Sequence, residues 1–506
     1  MEKKDSSMRT QIRDTDTSIH YSLFTIHCRA SRGVTVLLVL GFMGVFAIIL
    51  GTLSSYVLTQ GKYGRALYAR EVALNVAESG LEYYRWFLSH NPSIMDSGAG
   101  LVSPYTYAVN DPEGGSMGSA QVTATTNLQC GAVQWVDLVS RGVADISPGF
   151  PRTLSARYMR PSIAEYSYVV NTNVWAGANR TIRGPYHSNG GVRMDATHNS
   201  DVTSAAATWY CNSSYGCNPT QSSAPGVVGS GSNPALWTYP APTMADLFQT
   251  AANTTYQLDM KAKAVAQGGI YYGPASGSVN NRGYHLIFNP EGTVTIKRVS
   301  QTTGFNSYST QFTYQNLTSG DRVREYSKIN NETTLGTFNI PASCSLMFFE
   351  DRVWIEGTVN GKVTVVSATP SDSSTRPDVY LNNNIYYASY DGTDGLTVVS
   401  ERNVLIPLIV PNVMEIHGIF IAQAGHYGRD HFDTSDLSSQ YDQYVTRSQL
   451  TTVGTVVSNG RTGTSWTDGT AFLTRLDYYD QQLAFSPPPF TPIASTDYQF
   501  NLWREQ

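Results

Sequence analysis

Charged side chains are scarce in this chain of 506 residues: Asp, Glu, Lys and Arg make up 14% of it, where about 25% is typical of soluble globular proteins. This scarcity excludes a charged disordered tail and a coiled coil. The net charge of −5 provides no basic field, so nucleic acid is not an expected partner. Five cysteines in so long a chain exclude a small disulfide-stapled protein.

Motifs of the common enzyme classes are also missing. The sequence contains no P-loop, no GxGxxG run, no zincin motif and no GxSxG elbow. The sequence therefore predicts a structural protein and not an enzyme. Abundant Gly (43) and Tyr (32) are typical of an exported, strand-rich bacterial protein.

The first long feature is an uncharged run at positions 33–61, most apolar over 34–53. At about 1.5 Å per residue, such a helix can cross the roughly 30 Å hydrocarbon core of a bilayer. The residues up to Gly33 hold six basic and four acidic side chains, a balance of +2. Because positive flanks stay cytoplasmic, we predict a single membrane pass with the N-terminus inside and the bulk of the chain outside. A cleaved signal peptide and a plain signal anchor are the alternatives.

Small residues follow the apolar run at helical spacing. They recur at steps of three or four positions: Ala66, Ala69, Ala73, Ala77 and Gly80, followed by Tyr84. No proline interrupts positions 34–91, and Pro92 provides a stop. We predict one membrane and assembly helix over 34–91, with this stripe as the packing face for a neighbouring helix. A plain anchor has no need of such an extension.

These features together resemble the N-terminus of type IV pilin-like proteins, in particular PilX-like minor pilins and pseudopilins. The resemblance rests on a basic leader, Arg32-Gly33, the apolar run and the stretch ALYAREVALNVAESGLEYYRWFL. It implies that a prepilin peptidase recognises Arg32 and Gly33 and cleaves after Gly33, leaving Val34 as a new terminus open to methylation. It also implies other pilin subunits and an inner-membrane assembly platform as partners, and a final place in a surface filament.

One position departs from the family pattern. Most major pilins have Glu at the fifth mature position, whereas this chain has Leu38, and no acidic residue occurs between Gly33 and Glu71. An ammonium group without a counterion is costly in an apolar filament core. The resemblance therefore implies a place at or near the filament tip, where no subunit above needs the contact.

The cysteines divide between the leader and the exported part. Cys28 lies in the predicted leader (1–33), and four cysteines remain outside the cytoplasm. Cys211 and Cys217 enclose a short loop that a local disulfide can close, which leaves Cys130 and Cys344 as a second pair. That some of the four stay free and buried is the alternative.

The exported part reads as mainly β, which makes the predicted fold class α+β. Residues 92–160 predict a small β-rich collar, and short apolar runs separated by Gly and Asn over 161–490 predict a right-handed parallel β-helix. A β-sandwich is the alternative. We expect a helix at about 243–267 and a C-terminal extension over 491–506. The texture of 160–490 resembles bacterial surface β-solenoid domains of unknown function.

The predicted function is that of a minor pilin presenting a large β domain for adhesion or surface contact. The alternative is a membrane-anchored β-helix enzyme acting on polysaccharide, for which acidic side chains are available: Glu350, Asp351, Glu356 and Asp378. No cofactor is expected. Calcium is a minor alternative, with oxygens from Asp378, Asp391, Asp394 and 382–384. We expect no metal site at His426, Asp430 and His431, because their spacing matches no helical ligand pattern.

Overall fold

The computed structural model describes residues 32–310 and 321–506. Its internal contacts divide the chain into two units, Met1–Tyr68 and Ala69–Gln506. All but the end of the predicted leader, and Cys28 with it, lies outside the described residues. The coarse prediction, a long N-terminal helix followed by a large mainly-β region, is confirmed.

Helix α1 runs from Arg32 to His90 without a break. It ends where expected, because Pro92 follows and occupies the first turn of the short helix α2 (Pro92–Ser97). Helix α2 ends at Gly98, whose φ of 76° is the left-handed conformation that glycine adopts most easily.

An antiparallel sheet follows the helices. Its strands are β1 (Tyr105–Asn110), β2 (Ser116–Gln129), β3 (Ala132–Ala144), β4 (Arg152–Met159) and the C-terminal strand Gln499–Glu505. They pair in this order, and Phe500 of the C-terminal strand lies opposite Tyr158. The predicted collar is therefore completed by residues from the far end of the chain. Strand β2 alternates buried and exposed residues, as expected for a sheet with one covered face.

The part of α1 that belongs to the second unit covers this sheet. Leu81 and Tyr84 are fully buried, and the Tyr84 hydroxyl donates to the carbonyl of Val102 at 2.6 Å. The shared core contains side chains from the helix and from three strands: Ala77, Leu81, Tyr84, Leu88, Val122, Ala124, Val136, Leu138, Leu154, Ala156 and Tyr158.

Twenty-five further strands make up what we call the parallel-strand region. In chain order they are β5 (Tyr168–Val170), β6 (Val174–Ala176), β7 (Arg180–Arg183), β8 (Tyr186–Ser188), β9 (Val192–Met194), β10 (Thr197–His198), β11 (Val202–Ser204), β12 (Thr208–Cys211), β13 (Gln221–Pro225), β14 (Val227–Val228), β15 (Trp237–Thr238), β16 (Ile270–Tyr272), β17 (Gly283–Asn289), β18 (Thr293–Tyr308), β19 (Arg322–Asn339), β20 (Leu346–Phe349), β21 (Val353–Val359), β22 (Lys362–Ser367), β23 (Val379–Tyr387), β24 (Gly395–Ser400), β25 (Val404–Leu405), β26 (Val413–Ala422), β27 (Tyr427–Gly428), β28 (Thr446–Ser458) and β29 (Ala471–Tyr478).

Most of these strands stack in parallel register. One column runs through β20, β22, β24, β26 and β28. It places five side chains next to one another: Phe348, Val366, Val399, Ile421 and Val457. The column then continues through β5, β8 and β11, which come from the beginning of the region. The order of strands in the stack therefore differs from their order in the chain. The exceptions are the antiparallel pairs β12–β13, β17–β18 and β18–β19.

Asparagines join neighbouring levels of this stack. Asn189 Nδ2 donates to Asn171 Oδ1, and Asn171 Nδ2 donates to Asn459 Oδ1, each at 2.7 Å. Each side chain lies one position after a strand that pairs in parallel with the next. These bonds provide hydrogen-bond partners for partly buried amide groups at the strand ends.

A helix occurs close to the predicted range but begins later. A short 3₁₀ turn, Ala245–Phe248, precedes α3 (Thr250–Ala266). Thr243, at the start of the predicted range, lies outside the helix, and its hydroxyl donates to Asn189 Oδ1 at 3.1 Å. Helix α3 buries Gln257 and Met260, whereas Leu258 is 44% exposed. Helix α4 (Gln481–Phe485) precedes the prolines near the C-terminus.

Candidate functional site

The predicted processing motif lies at the beginning of the described residues. Helix α1 begins at Arg32 and includes Gly33 and Val34. No atom lies within 4 Å of a Cβ built on Gly33, and Val34 is 58% exposed. Gly33 thus has open space around it, and Val34 is largely exposed.

The apolar run of α1 is not covered by any part of the chain that the structure describes. Its large side chains are exposed along the helix, as in Leu37 at 73% and Leu58 at 67%. Within the described residues, Gly33–His90 is the one helix long and apolar enough to cross a membrane, a test that a signal sequence also passes. Exposed apolar area costs about 25 cal/mol per Å² in water, so this surface requires lipid or other apolar helices.

Leu38 is part of this exposed apolar surface, at 55%. The first turn of α1 contains no acidic side chain. The first acidic residue after Gly33 is Glu71, about ten helical turns further along at 3.6 residues per turn. Glu71 is therefore too far away to neutralise a terminal amine at Val34.

The small-residue stripe packs against the chain's own antiparallel sheet. A Cβ on Gly142 of β3 would lie 2.1 Å from the Ala73 carbonyl oxygen and 2.5 Å from the Ala77 amide nitrogen. A Cβ on Gly80 would lie 2.5 Å from the Ala120 Cβ. The prediction of a face for a neighbouring helix is thus wrong for Ala73, Ala77 and Gly80, which are covered by the sheet, and Ala69 is also fully buried. Small residues permit close approach to a strand as well as to a helix, and the sequence does not distinguish the two.

Ala66 is the member of the stripe that belongs to the first unit, and it is partly buried. The exposed surface of α1 is therefore the apolar segment from Val34 to Tyr68 and not the stripe.

Both disulfides are present in the structure. Cys211 joins Cys217 across a short loop. Cys130, in the turn between β2 and β3, joins Cys344, which precedes β20, across 214 residues of chain. The Cys130 amide also donates to the Ser343 carbonyl at 2.9 Å. This second disulfide ties the antiparallel sheet to the parallel-strand region.

Two carboxyl groups meet in a cavity of about 650 Å³ in the parallel-strand region. Glu325 of β19 and Asp430, which follows β27, both line it, and each is only 4% exposed. His426 Nε2 lies 3.0 Å from Asp430 Oδ1, and the Ser307 hydroxyl donates to Asp430 Oδ2 at 3.3 Å. Burial and the nearby Asp430 carboxylate raise the pKa of Glu325 to about 8.

Sequence reasoning missed Glu325. Its signal is an acidic residue at an inward-facing position of an alternating strand, because Glu325 and Ser327 are buried while Arg324 is exposed. The antiparallel pairing of β18 with β19 carries Glu325 to the cavity, and a single sequence gives no access to that register.

The acidic residues considered for a polysaccharide site are mostly paired elsewhere. Glu350 accepts from Lys261 at 2.6 Å, Asp351 forms an ion pair with Arg282 at 3.0 Å, and Glu356 lies 3.0 Å from His285 Nε2. Only Asp378 lines the cavity, where it forms an ion pair with Arg402.

The oxygens considered for calcium are engaged in hydrogen bonds. Asp394 accepts from the amides of Gly361 and Ser389, each at 2.6 Å. Asp391 accepts from the Thr393 amide and hydroxyl. His431 faces Asp468 at 2.8 Å and not the His426–Asp430 pair. Among residues 32–310 and 321–506, no group of three His, Cys, Asp or Glu side chains is placed to hold a metal ion.

Comparison with known proteins adds a distant structural similarity. No protein-family model matches the chain, and no curated protein is detectably similar in sequence. Among solved structures, the chain is similar to the competence-associated pilin ComZ from Thermus thermophilus, with 12% identity and a TM-score of 0.28. This similarity covers 87% of the present chain and 98% of that chain. A similarity of this size carries no inference about function, which must come from the residues described above.

Proposed function

We propose that this chain is a minor subunit of a type IV pilin-like filament, of the PilX-like or pseudopilin kind. A prepilin peptidase cleaves it after Gly33, and Val34 becomes the mature terminus, open to methylation. Before assembly the apolar segment of α1 spans the membrane with its N-terminus inside. An inner-membrane platform then moves it into a filament with other pilin subunits. The role is structural and not enzymatic.

The observation that carries the proposal is the uncovered apolar segment directly after Arg32-Gly33. Side chains from Val34 to Leu58 are exposed, yet the same helix continues into a well-packed core at Leu81 and Tyr84. A helix that is anchored in its own domain at one end and bare at the other fits a subunit that inserts into a bundle of like helices.

Leu38 supports a place at or near the tip. Because this chain has Leu38 where most major pilins have Glu, it offers no counterion to the terminal ammonium of an adjacent subunit. That lack costs least at the tip, where no subunit above needs the contact.

For the exported part, we propose a right-handed parallel β-helix. The parallel column from Phe348 to Val457 and the bonds among Asn171, Asn189 and Asn459 support it, because stacked levels with inward apolar positions and repeated corner residues are features of β-solenoids. Such a domain would present long polar faces for adhesion.

Substitution at the cleavage position tests the proposal. We expect Gly33→Ala to leave the chain unprocessed in its native host, whereas the wild type loses its leader. Gly41→Ala is the matched control, because neither glycine has an atom within 4 Å of a built Cβ. Electrophoretic mobility and intact mass of the membrane fraction provide the measurement. Equal processing of all three proteins, or of none, would contradict the proposal.

Glycoside hydrolysis is a second candidate, favoured by the cavity of Glu325 and Asp430. A protonated Glu325 can donate its proton to the leaving oxygen while Asp430 assists attack at the sugar carbon, with water supplying the hydroxyl and restoring the proton. Purified chain would release reducing ends from one of a panel of neutral and acidic polysaccharides, and Glu325→Gln would abolish the release. Failure on the whole panel, or full activity in the variant, removes this candidate.

A further inference from the structure

A second cavity, of about 380 Å³, lies between the loop that precedes β7 and the loop that joins β28 to β29. Of the described residues that line it, three are arginines, Arg180, Arg461 and Arg475, and none is acidic. This surface plays no part in the filament role proposed above.

Arg180 and Arg475 occupy paired positions on the neighbouring parallel strands β7 and β29. The carboxylate beside this pair is that of Asp477. It accepts from Arg180 Nε at 2.5 Å and from the Tyr168 hydroxyl at 2.8 Å. Both oxygens of Asp477 are therefore already in use. Two like charges at adjacent positions repel unless each has a counterion.

Arg475 lacks such a counterion. It is 7% exposed, donates to Asn179 Oδ1, and forms no ion pair with any described carboxylate. Its Nε–H has no acceptor. Burial and the charge of Arg180 lower the pKa of Arg475 to about 10, so the side chain remains charged at neutral pH. A buried, unpaired cation costs folding free energy, and this cost is recovered if an anion binds beside it.

The other lining groups complete a site for a sugar. Arg461 is partly exposed and donates to the Ser214 carbonyl at 2.8 Å. The indole N–H groups of Trp175 and Trp466 donate to Asp195 and to the Arg429 carbonyl, at 2.8 and 3.2 Å. These tryptophans therefore offer ring surface to the cavity and not a donor. Aromatic rings pack on the C–H faces of pyranoses, and guanidinium groups match the geometry of a carboxylate.

We propose that this cavity binds a carboxylate-bearing saccharide, with Arg475 as the buried group that receives the carboxylate. Its volume is in the usual range for small-ligand sites. The ligand would be a uronate unit of an acidic glycan. The proposal is independent of the filament role, because purified protein tests it without processing or assembly.

Calorimetric titration of the full chain in detergent tests this site with three probes: an oligogalacturonate, a maltooligosaccharide of equal length and sodium acetate. We expect the acidic oligomer to bind, the neutral oligomer not to bind, and acetate to compete only weakly. Equal binding of the neutral oligomer would overturn the role of the carboxylate. Acetate binding as tightly as the oligomer would overturn the role of the sugar.

Substitution of the buried arginine identifies the site. Arg475→Gln should weaken binding roughly 10- to 100-fold, because a charge-assisted hydrogen bond is lost. It should keep or raise the thermal midpoint, because an unpaired buried charge is removed. Arg447→Gln is the matched control: Arg447 is also 7% exposed with a partnerless Nε–H, but does not line the cavity. Unchanged affinity in Arg475→Gln would overturn the proposal.

A second variant covers a failure of Arg475→Gln to fold. Arg461→Gln changes a partly exposed side chain with one hydrogen bond to the protein, so the fold should tolerate it. We expect binding to weaken about tenfold. Full affinity in this variant would equally overturn the assignment of the cavity.

Discussion

The two units of the chain differ in whether their apolar side chains are buried. In the first unit, Leu37 of α1 is 73% exposed, whereas Leu81 of the same helix, in the second unit, is fully buried. Among the described residues, the apolar segment of the first unit joins no buried core, whereas the second unit contains all the hydrophobic core clusters. Helix formation itself is thus not what distinguishes them; the presence of a covering sheet is.

This contrast indicates which partner each unit needs. The second unit buries apolar groups against its own strands. In the filament role proposed above, lipid or other helices would cover the exposed apolar groups of the first unit. Substitutions of matched residues in the two units therefore test whether the two units differ in this way.

The largest difference is expected between two tyrosines of α1. Tyr84→Ala should destabilise the second unit by about 3–5 kcal/mol, because Tyr84 is fully buried and bonds to Val102. Tyr63→Ala should leave its unfolding free energy unchanged, since Tyr63 is 61% exposed. Denaturant unfolding followed by tryptophan fluorescence measures both. Similar losses in the two variants would show that the first unit also contributes to the core.

Glu325 is expected to make the free energy of unfolding depend on pH, by at most about 1.4 kcal/mol per pH unit. Its pKa is raised from 4.5 to about 8 by burial and by Asp430. A raised pKa means that the folded state keeps a proton which the unfolded state releases. The stability that this proton contributes to the folded state is therefore fully present below pH 4.5 and is lost as pH rises towards 8.

Thermal unfolding of the wild type and of Glu325→Gln across this pH range checks the sign. The wild type should lose stability relative to the variant as pH rises, because the amide does not titrate. Parallel profiles for the two proteins would contradict the buried, protonated state of Glu325.

A smaller effect is expected at two glycines of α1. Gly80→Ala should destabilise the second unit by about 1–2 kcal/mol, since the added Cβ would lie 2.5 Å from the Ala120 Cβ. Gly64→Ala should instead stabilise the helix locally, by up to about 1 kcal/mol. Alanine favours the helix more than glycine does, and no atom lies within 4 Å of a Cβ built on Gly64. Denaturant unfolding reports the first change and helicity by circular dichroism the second. A neutral Gly80→Ala would contradict the close packing of helix on sheet.

The sequence was sufficient for features that depend on local pattern. The absence of proline between 34 and 91 predicts α1, and the alternation in β2 predicts a half-covered strand. The partner of the small-residue stripe could not be predicted, because small side chains suit a sheet and a helix equally. The strand order also escaped prediction, since β5 stacks on β28 and the C-terminal strand completes the collar sheet. Such pairings join residues about 300 positions apart and leave no periodic trace in one sequence.

For the candidate sites, the same limit applies. Arg475 and Arg180 lie 295 positions apart in the chain, and only the register of β29 with β7 brings them together. Glu325 and Asp430 meet through a different pair of elements. Local motifs indicated instead a calcium site with Asp391 and Asp394, whose oxygens accept hydrogen bonds from backbone amides.

The most direct test of the central claim is the mass and N-terminal sequence of the protein recovered from native membranes or from a sheared surface fraction. The pilin-like account predicts a chain that begins at Val34, with or without a methyl group on its amine. A chain that still begins at Met1 in both fractions would contradict it.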